Sequence, residues 1–239
     1  MKIKILLPII SDIFNEEVVI EAQQFVSPDT EITVQNLDKG TASIESVYDE
    51  MLGSPDIVAK VIQAEKDGFD GVFVDCFGDP GVEAAREMVS IPVVGGFQPA
   101  ALLTTMLGGY WSVISVLPSV VPMIRNLARK LGIDGNVASI RHINTPVLEL
   151  TDKKMLQDKL LEQLIIAHRD DGAEAIVLGC TGMMGLAKNL ESAAAKQGIP
   201  MQVIDPTGAA LGFLEMQVRN KISHSKITYA VPSEKERKV

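Results

Sequence analysis

The sequence predicts an α/β protein of two pseudo-symmetric α/β lobes, with parallel-rich sheets and a cleft between the lobes. Three observations carry that expectation. Short, apolar, β-branched runs alternate with amphipathic stretches, the pattern of parallel strands covered on both faces. The alternation restarts halfway along the chain. The same cysteine-bearing turn also occurs once in each half. VDCFGDPGVEAARE (Val74–Glu87) lies on LGCTGMMGLAKNLE (Leu178–Glu191) at an offset of 104 residues. Cys76 then falls on Cys180, Gly78 on Gly182, Gly81 on Gly185 and Glu87 on Glu191.

In chain order, strands are expected at Lys2–Leu7, Glu31–Leu37, Gly71–Asp75 and Ile91–Val94. A second set follows at Ser112–Val116, Val137–Ile140, Ala175–Leu178 and Gln202–Ile204. Helices are expected at Ser54–Lys66, Pro80–Val89, Val120–Lys130, Asp152–Arg169, Gly182–Gln197 and Thr207–Val218. Ser54-Pro55 reads as a cap followed by proline in the first helical position, and Asp79-Pro80 repeats it. Gly68, Gly132, Gly172 and Gly198 stand where helices should stop.

The repeat extends beyond the cysteine turns. Ile3–Pro8 and Val113–Pro118 both read as a strand ending in Leu-Pro, and Ile91-Pro92 is echoed by Ile199-Pro200. A spacing this long marks a duplicated lobe rather than a solenoid unit. The first lobe is expected over residues 1–97 and the second over 98–205. Residues 206–225 pack back on the first lobe, and the charged segment 226–239 forms a flexible tail. Ligands of open α/β sheets sit at strand C-termini, so the active site is expected in the cleft.

Composition narrows the partners. With 46% apolar residues, the 239-residue chain can bury a large core without disulfides. A net charge of −9 argues against nucleic acid, which needs a basic face. No apolar run approaches the ~20 residues that span a bilayer. MKIKILLPII reads as a strand rather than a signal peptide, so a cytoplasmic protein with reduced thiols is expected. A small-molecule substrate and a homo-oligomeric assembly complete the expectation.

The two cysteines are the only ones in the chain. One such residue at a strand end is commonly a small core residue. Two at matched positions of a repeat, each followed by x-Gly, point instead to chemistry. A nearby helix N-terminus would lower each thiol pKa from about 8.5 toward neutrality. Strand alternation should turn Asp75 away from Cys76, and Asp79 should cap the helix that follows. With a thiol on either side of a flat carbon acid, one removes a proton and the other returns one to the opposite face. That inversion is redox-neutral and calls for no cofactor.

Other chemistries find less support. His142, His168 and His224 are scattered without ligand spacing to a cysteine, so no metal is expected. No GxSxG, GxGxxG or GxxxxGK[ST] signature occurs.

Asp75-Cys-Phe-Gly-Asp-Pro-Gly81 with Ala84-Ala-Arg-Glu87, and Ile176-Val-Leu-Gly-Cys-Thr-Gly182, resemble the two signature turns of the aspartate/glutamate/hydantoin racemase superfamily. The first turn, and Gly40-Thr-Ala-Ser-Ile-Glu45 before Tyr48-Asp-Glu50, resemble its hydantoin (allantoin) racemase branch. The likeness runs from Ile3 to about Phe213. The resemblance implies a cofactor-independent racemase in which Cys76 and Cys180 are the acid/base pair. Phe77, Gly78, Thr181 and Gly182 would line the substrate, Ser43 and Ile44 would lie nearby, and Pro8 and Leu117 would close the cleft ends.

Two segments depart from the family pattern. Leu7-Pro-Ile-Ile-Ser11 replaces an Asn-Pro-Asn/Thr segment, and Ser115-Val-Leu-Pro118 replaces a Thr-rich run. The expected substrate is a 5-substituted hydantoin or related ring, whose C5 anion is delocalised. A free amino acid is the next reading. It would want a cation for its carboxylate, and Arg86 lies ten residues beyond Cys76; Glu45 could meet its ammonium. A maleate-type isomerase and a non-catalytic two-lobed binding protein follow.

Overall fold

The computed structural model describes residues 1–236. Eight strands build two four-stranded parallel sheets. Strands β1 (Lys2–Leu7), β2 (Glu31–Asn36), β3 (Gly71–Val74) and β4 (Val93–Val94) lie in the order β2-β1-β3-β4. Strands β5 (Trp111–Ser115), β6 (Val137–His142), β7 (Ala175–Leu178) and β8 (Gln202–Ile204) repeat it as β6-β5-β7-β8. The registers match as well: Ile5 pairs with Val34 and Phe73, and Val113 with Ile140 and Val177. The central strands β3, β5 and β7 are buried along their whole length, which is why they read as unbroken apolar runs.

The helices are α1 (Asn15–Ala22), α2 (Val47–Lys66), α3 (Val82–Met88), α4 (Phe97–Leu107), α5 (Val121–Lys130), α6 (Lys153–Asp171), α7 (Ala187–Lys196) and α8 (Pro206–Asn220). Gly68, Gly132, Gly172 and Gly198 take the left-handed conformation just past helices, as expected. Helix starts depart from expectation, and α7 begins at Ala187 rather than Gly182. Helix α2 begins two turns before Ser54-Pro55, where Ser46 accepts a hydrogen bond from Asp49 N at 3.2 Å, and Pro55 lies inside it. Helices α1 and α4 were not foreseen. Asp79 caps α4, not the helix that follows it: its carboxylate accepts from Phe97 N at 2.8 Å and Gln98 N at 3.1 Å.

Helix α8 returns to the first lobe. Leu214 packs so closely on β3 that a Cβ on Gly71 would come within 2.8 Å of its Cδ1. Glu215 accepts from Ser27 N and Oγ at 3.0 and 2.9 Å, and from the Thr30 hydroxyl. The chain beyond is tied to the end of α3 as far as Tyr229. Lys226 Nζ donates to the carbonyls of Arg86 and Val89 at 2.7 Å each, and Arg86 Nη1 donates to Tyr229 Oη at 3.1 Å. The last three residues of the expected tail, 237–239, lie outside the described residues. Among those described, no helix is long and apolar enough to cross a membrane.

Several contacts join the lobes, and at the cysteine turns Thr181 Oγ1 donates to the Asp75 carbonyl at 3.3 Å. Glu45 Oε1 accepts from Val147 N, and Glu21 Oε1 from Gly185 N, both at 2.8 Å. Lys153 pairs with Glu17 at 3.1 Å, and Lys130 with Glu83.

Candidate active site

Strands β3 and β7, one from each sheet, end at a shared cleft, and each delivers its cysteine there. Cys76 and Cys180 are free thiols, both half-buried. Gly78 N donates to Cys76 Sγ at 3.4 Å. The two turns reproduce one another around sulfur. A Cβ on Gly78 would lie 3.7 Å from Cys76 Sγ, and one on Gly182 would lie 3.5 Å from Cys180 Sγ. Glycine keeps that space open.

Most of the foreseen residues converge. Pro8, Ile44, Phe77, Gly78, Thr181 and Gly182 line the cleft with the two cysteines. Ser43 and Leu117 stand outside the lining. The Ser43 carbonyl accepts from Thr41 Oγ1 within its own loop, and Leu117 packs against the second-lobe core, leaving Val116 to face the cleft. Other apolar walls were not foreseen: Phe14 and Val18 at α1, Met123 and Ile124 on α5, and Val147. Glu45, a candidate ammonium partner, instead spends a carboxylate oxygen on Val147 N.

The thiols are not lowered toward neutrality. Burial pushes Cys76 well above the usual thiol range, with the Gly78 N–H opposing and Cys180, Glu50 and Asp79 adding to the rise. Burial likewise pushes Cys180 up to about 12, against the Gly182 N–H and with help from Asp75 and Glu45. The sequence argument relied on helix N-termini, but α3 starts at Val82 and α7 at Ala187. Both lie more than a turn past their thiol, where the helix dipole has faded. An apolar cleft then decides the sign. Because the sulfurs raise one another's cost of ionising, the two-thiolate state is the least accessible.

Two carboxyls also face the cleft. Burial is the main cause that pushes Asp75 up to about 7, and its Oδ1 is buried without a hydrogen-bond partner. It lines the same cleft as Cys76, and its charge bears on Cys180. Burial, then Asp79 and Asp49, push Glu50 up to about 7. Among the described residues, no three His, Cys, Asp or Glu side chains are grouped to hold a metal ion.

Fold and site define a two-lobed α/β protein with paired thiols in one cleft, an arrangement able to address a substrate from both sides. The family model described as Asp/Glu/Hydantoin racemase matches residues 11–214. A hydantoin racemase of Rhizobium meliloti is 38% identical over 205 residues, covering 85% of this chain and 83% of its own. One from Pseudomonas sp. (strain NS671) is 35% identical over 99% of this chain and 94% of its own. The structure of allantoin racemase from Klebsiella pneumoniae superposes with a TM-score of 0.91 at 32% identity, covering 100% of this chain and 96% of that one. The chain belongs to the Asp/Glu/hydantoin racemase family, and it is an isomerase.

Proposed function

We propose that this protein racemises 5-substituted hydantoins, or a closely related ring such as allantoin, with Cys76 and Cys180 as the acid/base pair. The observation that carries the reading is the convergence of the two thiols, on matched turns, in one apolar cleft. The relatives' hydantoin and allantoin activities support the substrate class. So does the lining: among the described residues no Lys or Arg borders the cleft, and the ionisable side chains there besides the cysteines are the carboxyls of Glu50 and Asp75. The carboxylate of a free amino acid, or a dicarboxylate, would meet like charge and no cation there, whereas a neutral ring with an apolar substituent suits the walls.

In this mechanism one thiol is ionised and removes the C5 proton, placing the electron pair on the enolate formed with the ring carbonyl. The other thiol gives its proton to C5 from the opposite face. Roles exchange for the reverse direction, and a proton returns through water to reset the pair. Backbone N–H groups of the turns at Gly78 and Gly182 are suited to hold the enolate oxygen.

The test follows enantiopure 5-benzylhydantoin in D2O by optical rotation and by loss of the C5 proton signal, against an enzyme-free control. Enzyme-dependent exchange with loss of rotation, abolished in Cys76→Ser and Cys180→Ser, supports the reading. Undiminished turnover by the double serine variant would overturn the thiol mechanism, and no acceleration of any hydantoin or allantoin the substrate.

A further inference from the structure

Glu50 has a cleft-facing carboxyl that no structural role explains. The start of α2 is capped without it. Ser46 Oγ accepts from Asp49 N, while Asp49 Oδ2 accepts from Ser46 Oγ at 2.8 Å and Glu45 N at 3.1 Å. Among the described residues, the Glu50 carboxyl forms no hydrogen bond. It lies over the Cys76 turn instead: a Cβ on Gly78 would collide with Glu50 Oε1 while lying 3.7 Å from Cys76 Sγ. Glu50 and Gly78 border both the main cleft and a second cavity, so they form the wall between them at that turn. In the second lobe the equivalent place over Gly182 is filled by Leu150 Cδ1. Over Gly78 the repeat is therefore broken, by an acceptor with no partner among the described residues.

An idle acceptor in an apolar cleft calls for a donor on the ligand. Resting on the racemase reading, we infer that Glu50 is a specificity residue that accepts a hydrogen bond from the ring N–H bonded to the stereocentre, N1–H of a hydantoin. Cys76 must sit against C5 to exchange its proton, which places the atoms bonded to C5 next to Glu50. Of the ring atoms among these, N1 carries the donor. The same carboxylate disfavours substrates with an anionic group on that side of the ring.

The experiment compares 5-benzylhydantoin with its 1-methyl and 3-methyl derivatives in the wild type, Glu50→Gln and Glu50→Leu. Thermal unfolding confirms that each variant is folded. In the wild type, 1-methylation should lower kcat/KM by roughly ten- to a hundredfold, as for loss of a hydrogen bond to a charged group, and 3-methylation by much less. In Glu50→Leu the parent should fall to the level of the 1-methyl compound, so the 1-methyl penalty shrinks toward one. Glu50→Gln, which keeps an acceptor oxygen, should fall between. Equal 1-methyl penalties in the wild type and both variants would overturn the assignment while leaving the racemase standing. No turnover of the parent by the wild type would overturn both.

Discussion

The turns after β3 and β7 hold the same residue in different surroundings. Before the cysteine, the first turn has Asp75 and the second has Gly179. Two residues after it, Gly78 lies under the Glu50 carboxyl and Gly182 under the Leu150 methyl. The duplication kept the thiols and the open space beside them, and let the electrostatics diverge. Acidic groups from the first lobe act on both sulfurs: Glu50 and Asp79 on Cys76, Asp75 and Glu45 on Cys180. The lesson is kinetic. Two enantiomers in water have equal free energy, so kcat/KM must be the same in both directions for a racemase. Any kinetic effect of the unequal surroundings must then appear as kcat and KM that differ between the enantiomers by the same factor. Steady-state rates from each pure enantiomer check this.

The largest break in the comparison comes from removing either thiol. Cys76→Ser and Cys180→Ser should each lower racemisation by about 10³-fold or more, the scale of a lost general acid or base. Rotation and deuterium uptake measured from both enantiomers report which half-reaction survives.

Filling the second turn to resemble the first comes next. A Cβ on Gly179 would lie 2.6 Å from Val113 Cγ1 and 2.9 Å from the Ser115 backbone. Gly179→Ala should cost about 3 kcal/mol of stability, read from urea unfolding, because the packed strand cannot yield. A variant as stable as the wild type would show that the turns are more alike than their packing.

Asp75→Asn sharpens the contrast more gently. Removing that charge should favour the Cys180 thiolate and speed its alkylation at pH 8 by about tenfold, with Cys76 little changed. Peptide mapping after iodoacetamide resolves the two sites. Equal acceleration at both would mean that Asp75 does not discriminate between them.

The smallest effect concerns the tie between lobes. Burial beside Asp205 raises the Glu21 carboxyl well above its usual 4.5. The folded protein therefore holds that proton longer than the unfolded chain does, and stability from this group falls as pH rises from about 4.5. Glu21→Gln keeps an acceptor for Gly185 N without the titration. It should raise Tm at pH 8 by a few degrees and leave it nearly unchanged at pH 4. A gain at pH 4 as large as that at pH 8 would contradict the linkage.

Much of this was legible in the sequence because it depends on local pattern. Each strand is a run of apolar residues that the covered sheets bury, and the cysteine turns are visible by their repetition. What escaped depends on distant partners. Helix α4 has no cap of its own, since Asp79 supplies it from a turn 18 residues earlier. Pro55 reads as a helix start, which hid the first two turns of α2 and with them Glu50. The thiol pKa values were read from neighbours in sequence, whereas burial by residues from both lobes sets them.

Helix α8 carries a consequence for how the chain is made. The second sheet is complete once β8 has been synthesised, and its strands and helices are contiguous. The first sheet must wait: Gly71 on β3 and the Ser27–Thr30 turn meet Leu214 and Glu215 only after the second lobe has emerged. On the ribosome, the lobe that begins first is finished last. Until then that face of the sheet has Phe14, Val18 and Ala22 over it but lacks Ala210, Leu211 and Leu214, a stage at which cold or a chaperone would matter more than for the lobe that follows.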